Sequence, residues 1–190
     1  MAVEKDIKKK REMSKSKDLL PYAAIPLIIG TYMVLKHETG DVLLLLRIFS
    51  LISFGYVAAY LDFKTRKVPN KLILSMLAVW LVLFVAFVII DIEAAVDALG
   101  QSIISGAAAG GFFLMIYYIS RKGVGGGDVK LISVIGLHMT LAKLVPMLFF
   151  SSLITAFVSA VLLITKRATM KTAIPLVPFL YLGTLFTIFM

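Results

Sequence analysis

Long hydrophobic runs separated by short polar loops make up the chain after its polar, basic first 18 residues. Several runs reach about 17 to 22 residues with few or no charges, the length that a helix needs to cross a bilayer. The clearest run, 72–90, contains no charged residue. The pattern predicts an all-α polytopic membrane protein with six or seven transmembrane helices. The approximate predicted spans are 19–36, 42–61, 71–90, 99–119, 129–141, 143–165 and 173–190.

The overall composition agrees with this pattern. Sixty per cent of the 190 residues are hydrophobic, 16% are charged, and the mean hydropathy is +0.96. A soluble domain of this size needs more polar surface. We therefore predict two parts, a basic cytoplasmic tail at 1–18 and a single transmembrane domain at 19–190, with the lipid bilayer as the surroundings.

The distribution of charge predicts the orientation. Lys and Arg cluster in the N-terminal tail and in the loops 62–71, 120–130 and 165–172, whereas the loop 91–98 is acidic. Because cytoplasmic loops are enriched in Lys and Arg, the tail and the three basic loops are expected to face the cytoplasm. This alternation favours seven spans with the C-terminus outside. The net charge of +9 then reflects membrane orientation, and no nucleic-acid partner is expected.

Beyond the tail, two carboxylates lie on the predicted cytoplasmic side, Asp62 and Asp128. Two spans separate them, so both return to the same face. Two aspartates held close together share a proton, so that one can activate water while the other protonates the reacting group. Such a pair can hydrolyse a peptide bond without a metal or a cysteine. The simpler alternatives are a helix N-cap for Asp128 and a salt bridge from Asp62 to a nearby Lys or Arg.

Glycines precede Asp128 in the sequence Gly123-Val124-Gly125-Gly126-Gly127-Asp128. Glycine tolerates positive φ and allows another backbone or a substrate to approach closely. The run predicts a tight loop around Asp128.

Three segments carry a family resemblance. Gly125 to Asp128 fits the G-x-G-D motif of membrane aspartyl proteases, and the longer string GVGGGDVKL, which includes Lys130, resembles the type IV prepilin peptidase family. The segment from Asp62 through Pro69 and Asn70 to Leu72 is similar to that family's Asp, five or six residues, then Pro-Asn/Asp-x-Leu.

The third segment lies near the C-terminus. Pro175 to Gly183, which includes Pro178, resembles the family's Pro-x-x-Pro-Phe-x-x-x-Gly. A single G-x-G-D would be weak evidence. Three motifs in the family's order, from the second predicted span to the C-terminus, are specific.

The resemblance implies a membrane aspartyl endopeptidase. It would remove the short basic leader of prepilin-like proteins (prepilin, pseudopilin or preflagellin) at the cytoplasmic face of the cell membrane, without a cofactor or metal. Asp62 and Asp128 would form the catalytic pair. Gly125 and Gly127 would shape the loop that presents Asp128.

The remaining motif residues would have supporting roles. Pro69 and Asn70 would turn the chain into the third span. The segment with Pro175 and Pro178 would pack near the site, although helix initiation explains two prolines nearly as well.

The chain also departs from the longer members of that family. It contains no cysteine, whereas those members carry an N-terminal domain with two Cys-x-x-Cys pairs that is linked to methylation. The resemblance is therefore to the short, peptidase-only form, and N-methyltransferase activity is not expected. The absence of cysteine also excludes disulfides and thiolate zinc sites.

Two alternatives belong to other classes. A metal-dependent lipid head-group transferase would need several carboxylates around a divalent ion. A transporter would need charges or broken helices near mid-membrane. Arg47 is the one charge clearly inside a predicted span, and we expect it to lie near an end or to snorkel to the interface.

The fourth predicted span contains a G-x-x-x-G pattern at Gly106 and Gly110. Small residues at this spacing let two helices approach closely. The pattern predicts a helix-packing face, either inside the chain or in a homodimer.

Overall fold

The computed structural model describes residues 42–120, 125–166 and 174–190. The described residues form helices and connecting turns, with no strand among them, which confirms the all-α prediction. The helices are α1 (Val42–Thr65), α2 (Asn70–Ile90), α3 (Ile92–Ile119), α4 (Gly126–His138), α5 (Leu141–Ile164) and α6 (Val177–Phe189). The basic tail and the predicted span 19–36 lie outside the described residues.

The chain divides into two compact units, Met1–Leu45 and Leu46–Met190. Of the first unit, the structure describes residues 42–45, which form the beginning of α1. The second unit contains the rest of α1 and the other five helices, and all the interactions described below lie within it.

Four of the described helices, α1, α2, α3 and α5, are long and apolar enough to cross a membrane. Helices α4 and α6 have 13 residues each. At 1.5 Å per residue each is about 20 Å long, less than the roughly 30 Å of hydrocarbon in a bilayer. The fold is therefore that of a polytopic membrane protein, while the count of seven spans and the orientation stay predictions.

Large apolar side chains lie exposed on the outward faces of the long helices. Val82, Phe112 and Phe157 are examples from α2, α3 and α5. An apolar surface of this extent would be a liability in water. In a bilayer, lipid tails cover it, which agrees with the membrane location.

The helix boundaries differ from the predicted spans at two places. Helix α3 begins at Ile92 and not at 99, because the Asp91 carboxylate accepts a hydrogen bond from the Ala94 N–H (3.0 Å) and caps the helix. Most of the acidic loop 91–98 is therefore the first two turns of α3. The turn between α4 and α5 lies at Met139 and Thr140, slightly earlier than the predicted 141–143.

Glycines hold α3 and α4 in close contact. A Cβ added at Gly106 would lie 3.1 Å from the Ser133 carbonyl oxygen, and one at Gly136 would lie 2.8 Å from the Ser105 carbonyl oxygen. Gly110 also faces Ser133. The face with Gly106 and Gly110 therefore packs inside the chain. The alternative of a homodimer through this face does not hold, because α4 occupies the face.

Helix α6 packs against α5 and α1. A Cβ at Gly183 would lie 2.6 Å from the Met147 carbonyl oxygen in α5. On the other side, the Tyr181 ring lies against Gly55 and makes an edge-on contact with Tyr56, with 6.1 Å between the ring centroids. These contacts hold α6 beside the C-terminal half of α1.

Candidate active site

A cleft of about 940 Å³ lies between the turn that joins α1 to α2 and the start of α4. This volume is within the range of small-molecule and substrate sites. Its lining consists of Leu61, Thr65, Arg66, Lys67, Val68, Pro69, Asn70, Gly125, Gly126, Gly127, Asp128 and Lys130. The first two motif segments, which are far apart in the sequence, thus form the two walls of one cleft.

The α1–α2 turn is short and well defined. Helix α1 ends at Thr65, and Arg66 takes a left-handed conformation (φ 52°) with its N–H donating to the Asp62 carbonyl oxygen (2.7 Å). Pro69 is the N-cap of α2, with extended backbone, and α2 begins at Asn70. The fixed φ of proline suits this position just before a helix. The turn places Pro69 and Asn70 on the cleft wall.

The start of α4 presents Asp128. Gly125 is the N-cap, so Asp128 is the third residue of the helix and not the cap itself. Its N–H donates to the Gly125 carbonyl oxygen (3.0 Å), and its carboxylate accepts a bond from the Gly125 backbone. An acidic residue at this position that reaches back to the N-cap is the second half of a capping box. Asp128 therefore has a local structural role, and its side chain still faces the cleft.

Among the described glycines of this loop, Gly125 is the one at which small size matters. None of the described glycines has positive φ, so the conformational freedom of glycine is not used at Gly125, Gly126 or Gly127. A Cβ at Gly125 would lie 3.0 Å from the Asp128 Oδ2 atom and would crowd the carboxylate. A Cβ at Gly127 would lie 3.6 Å from the Val68 carbonyl oxygen, an ordinary contact. Gly123 lies outside the described residues.

Asp62 lies in the last turn of α1 and is 5% exposed. Its Oδ2 atom accepts a hydrogen bond from the N–H of Val177, the first residue of α6 (3.0 Å). The carboxylate thus caps the positive end of a different helix, where an anion is stabilised. The salt bridge to a nearby Lys or Arg was the simpler alternative for Asp62. The bond described for its carboxylate comes instead from Val177, and Lys64 donates to the Tyr60 hydroxyl (3.3 Å).

Sequence reasoning missed this cap. Leu176, the N-cap of α6, makes no side-chain hydrogen bond to the helix, although its carbonyl oxygen accepts from Phe179 and Leu180. Pro178 has no N–H, so the Val177 N–H is the one in the first turn that needs a partner from elsewhere. Pro178 is the second residue of α6, a position that suits helix initiation. The one sequence signal for this cap is Leu176 itself, because the N-cap position usually holds Ser, Thr, Asp or Asn, and a leucine there implies that the capping group comes from elsewhere in the chain. Pro175 precedes the helix, and the third motif segment reaches the site through Val177.

The charge of Asp62 acts on Asp128. The pKa of Asp128 is raised above its ordinary value by burial and, second, by the negative charge of Asp62, while the backbone bond from Gly125 opposes the rise. Asp128 is half-buried at the cleft wall, whereas Asp62 is buried and bonded to Val177. Asp128 is among the residues that line the cleft, and Asp62 is not.

This coupling predicts a measurable shift. Asp62→Asn removes the second cause of the raised value, so the pKa of Asp128 should fall toward its ordinary value without reaching it, because burial remains. The infrared carbonyl band of a protonated carboxyl group, followed against pH, reports this directly. Asp97→Asn, an exposed position on α3, is the control and should leave the titration unchanged. An unchanged Asp128 titration in Asp62→Asn would contradict the coupling.

In the described part of the chain, no group of three or more His, Cys, Asp or Glu side chains lies together in a way that could hold a metal ion. The metal-dependent alternative needs such a cluster. The described residues therefore give it no ligand set, while they give the two-carboxylate hypothesis both of its groups.

Comparison with known proteins identifies the family of the chain. The family model described as the type IV leader peptidase family matches residues 49–160. The prepilin leader peptidase/N-methyltransferase of Bacillus subtilis (strain 168) is 41% identical over 81 residues, which are 42% of this chain and 33% of that protein. The matched stretch thus spans about a third of the length of this relative. No solved structure matches the chain at comparable significance. Because the family model covers more than half of the chain, from the middle of α1 to the last turns of α5, the protein belongs to the type IV leader peptidase family.

Proposed function

We propose that the protein is a membrane aspartyl endopeptidase that cleaves the leader peptide of prepilin-like proteins, with Asp62 and Asp128 as its catalytic pair. One observation carries the proposal. The three motif segments converge, so that a buried Asp62, bonded to the start of α6, raises the pKa of Asp128 at the wall of a cleft. Perturbed carboxylates in a cleft are candidates for acid–base catalysis.

The environments of the two carboxylates support a division of roles. The Oδ2 atom of Asp62 accepts the Val177 N–H at the start of α6, which holds the carboxylate in place, and we assign Asp62 the role of general base. Asp128, with its raised pKa, is the general acid. Asp62 takes a proton from water as the water oxygen attacks the scissile carbonyl carbon, and Asp128 donates its proton to the carbonyl oxygen.

The second half of the reaction returns the protons. The tetrahedral intermediate loses the proton of one hydroxyl group to Asp128 as the carbonyl reforms and the C–N bond breaks. The leaving amine takes the proton held by Asp62. The products are the leader, with a new carboxyl group, and the mature protein, with a new amino group. Both aspartates end in their starting states, so no metal or cofactor is required.

The charges of the cleft constrain how a substrate would lie. Arg66, Lys67 and Lys130 line it together with Asp128. Because like charges repel, we place the basic part of a leader outside the cleft and the uncharged residues around the scissile bond inside it. The name of the Bacillus subtilis relative supports the substrate class, and the basic loop 62–71 supports a cytoplasmic site. We extend to this chain only the peptidase part of that name.

The test is leader cleavage by the purified protein reconstituted in lipid vesicles. A prepilin-like substrate with a basic leader is incubated with the protein, and mass spectrometry identifies the new N-terminus. We expect cleavage at one bond, unaffected by a chelator. Loss of cleavage on chelation would favour a metal-dependent reaction. If the protein cleaves none of the three substrate types (prepilin, pseudopilin and preflagellin), the proposal is refuted.

A further inference from the structure

Arg47 makes two short hydrogen bonds inside the helix bundle. It lies near the start of α1, where its Nη2 atom donates to the Ser102 Oγ atom of α3 and to the Leu137 carbonyl oxygen of α4, both at 2.7 Å. Of the two expectations for Arg47, a place near a helix end agrees with its position in α1, while its side chain bonds to α3 and α4 inside the bundle. It connects three helices at one point.

The contact with α4 lies at a chemically favourable place. Leu137 is in the last turn of α4, where backbone carbonyls run out of partners in their own helix. A cation at this end also stabilises the negative end of the helix dipole. Arg47 thus holds the C-terminal turn of α4 in the way that Asp62 holds the first turn of α6.

Stability alone gives little reason for a charge at this position. A charged side chain inside a membrane-spanning helix is costly to desolvate, and hydrogen bonds to the charge offset part of that cost. An apolar side chain would avoid the cost altogether. What only the guanidinium supplies is a fixed geometry between α1, α3 and α4.

That geometry bears on the candidate site, because α1 carries Asp62 and α4 carries Asp128. At 1.5 Å per residue, Asp62 lies about 22 Å along α1 from Arg47, and Asp128 lies about 14 Å along α4 from Leu137. Along its length, α4 is held on α3 by the glycine contacts described above. A shift at the Leu137 end would pass through this short helix to Asp128.

We propose that Arg47 is a positioning residue that sets the separation of Asp62 and Asp128 by fixing the C-terminal turn of α4 to α1 and α3. Its importance for catalysis rests on the proposed function. The separation itself can be measured without any activity, so the two ideas can fail independently.

The first measurement is a distance. The chain has no cysteine, so Phe63→Cys and Lys130→Cys, at exposed positions next to the two aspartates, can carry a pair of spin labels. Electron–electron double resonance then reports the distance distribution between α1 and α4. We expect Arg47→Met to shift or broaden the distance distribution. Arg47→Lys keeps a charged donor, so its distribution should stay close to that of the wild type. Lys143→Met, which removes an exposed charge from α5, is the matched control and should change nothing.

The second measurement is kinetic and uses the chain without the labelling substitutions. In Arg47→Met we expect kcat per folded molecule to fall about 10- to 100-fold, because small misplacements of catalytic groups are costly, while KM changes less than twofold, since the cleft lining is intact. The alkaline limb of the kcat profile should also move, because the rise in the Asp128 pKa that Asp62 causes depends on their separation; the limb moves to lower pH if the separation grows and to higher pH if it shrinks. Arg47→Lys should recover most of both effects.

The outcomes are distinct. The proposal is overturned if Arg47→Met has the same distance distribution as the wild type. It is also overturned if Arg47→Met lowers the amount of folded protein but the folded molecules keep the wild-type kcat and alkaline limb, because Arg47 would then only stabilise the fold. If Arg47→Met does not fold, the same measurements are made on Ser102→Ala, which removes one of the two hydrogen bonds of Arg47. A wild-type distance distribution and a wild-type alkaline limb in Ser102→Ala would also overturn the proposal. If the wild type cleaves no substrate, the proposed function fails and the distance still tests the role of Arg47.

Discussion

Asparagine at position 62 or 128 is expected to reduce kcat for leader cleavage by about 10²- to 10⁴-fold, the usual contribution of a general acid or base. Asn has nearly the shape of Asp but can neither take a proton from water nor donate one from a carboxyl group. Both variants should lose activity to a similar extent, because each of the two steps of the reaction uses both groups. The measurement is single-turnover cleavage in vesicles, with the amount of folded protein determined in parallel.

The variants at position 62 should separate catalysis from folding. Asp62→Asn keeps a carbonyl oxygen that can accept the Val177 N–H, so it should be inactive but folded. Asp62→Ala leaves that buried N–H without a partner, which should cost about 1 to 3 kcal/mol of stability in addition. Asp97→Asn, exposed on α3, is the control and should keep wild-type cleavage. Full activity in Asp62→Asn or Asp128→Asn would end the two-aspartate mechanism.

Gly183→Ala is expected to destabilise the protein by about 1 to 3 kcal/mol and to lower cleavage about tenfold or more. The new Cβ would lie 2.6 Å from the Met147 carbonyl oxygen and 3.0 Å from the Ser151 nitrogen, and backbone atoms cannot yield without moving a helix. Displacing α6 from α5 would move the Val177 N–H away from Asp62. Stability and activity should therefore fall together.

The matched control is Gly100→Ala, inside α3, where nothing lies within 4 Å of an added Cβ. Alanine is a better helix former than glycine by about 1 kcal/mol, so this variant should be unchanged or slightly more stable. Thermal unfolding in detergent and single-turnover cleavage give both quantities. Equal behaviour of the two variants would show that α6 does not pack on α5 as described.

The helices could be predicted from the sequence because each signal is local. Hydrophobic length alone located the helices that became α1, α2 and α5, in each case within four residues of both observed ends. The start of α3 was misplaced, since the cap from Asp91 was not considered and the acidic residues after it were read as a loop. The glycine pair Gly106 and Gly110 showed that two helices approach closely, but the pattern is the same for a partner within the chain and a partner in a dimer.

The candidate site could be predicted in its parts. The motif residues Pro69, Asn70 and Asp128 identified the two walls of the cleft, because each wall is one continuous segment of chain, whereas Asp62 is buried and is not part of the lining. What those segments contact was not predictable. The bond from Val177 to Asp62 joins residues 115 positions apart, and the bonds of Arg47 span 55 and 90 positions. No local pattern encodes contacts of this kind.

The sequence by itself determined that this protein is a helical membrane protein with two motif aspartates next to tight turns. Hydrophobic length, glycine and proline act over a few residues, and three motifs identify the family. Only the tertiary structure decided that Asp62 caps α6, that Arg47 holds the end of α4, and that the glycine face packs inside the chain. A helix end or a buried charge needs a partner, and which distant residue supplies it depends on how the helices pack.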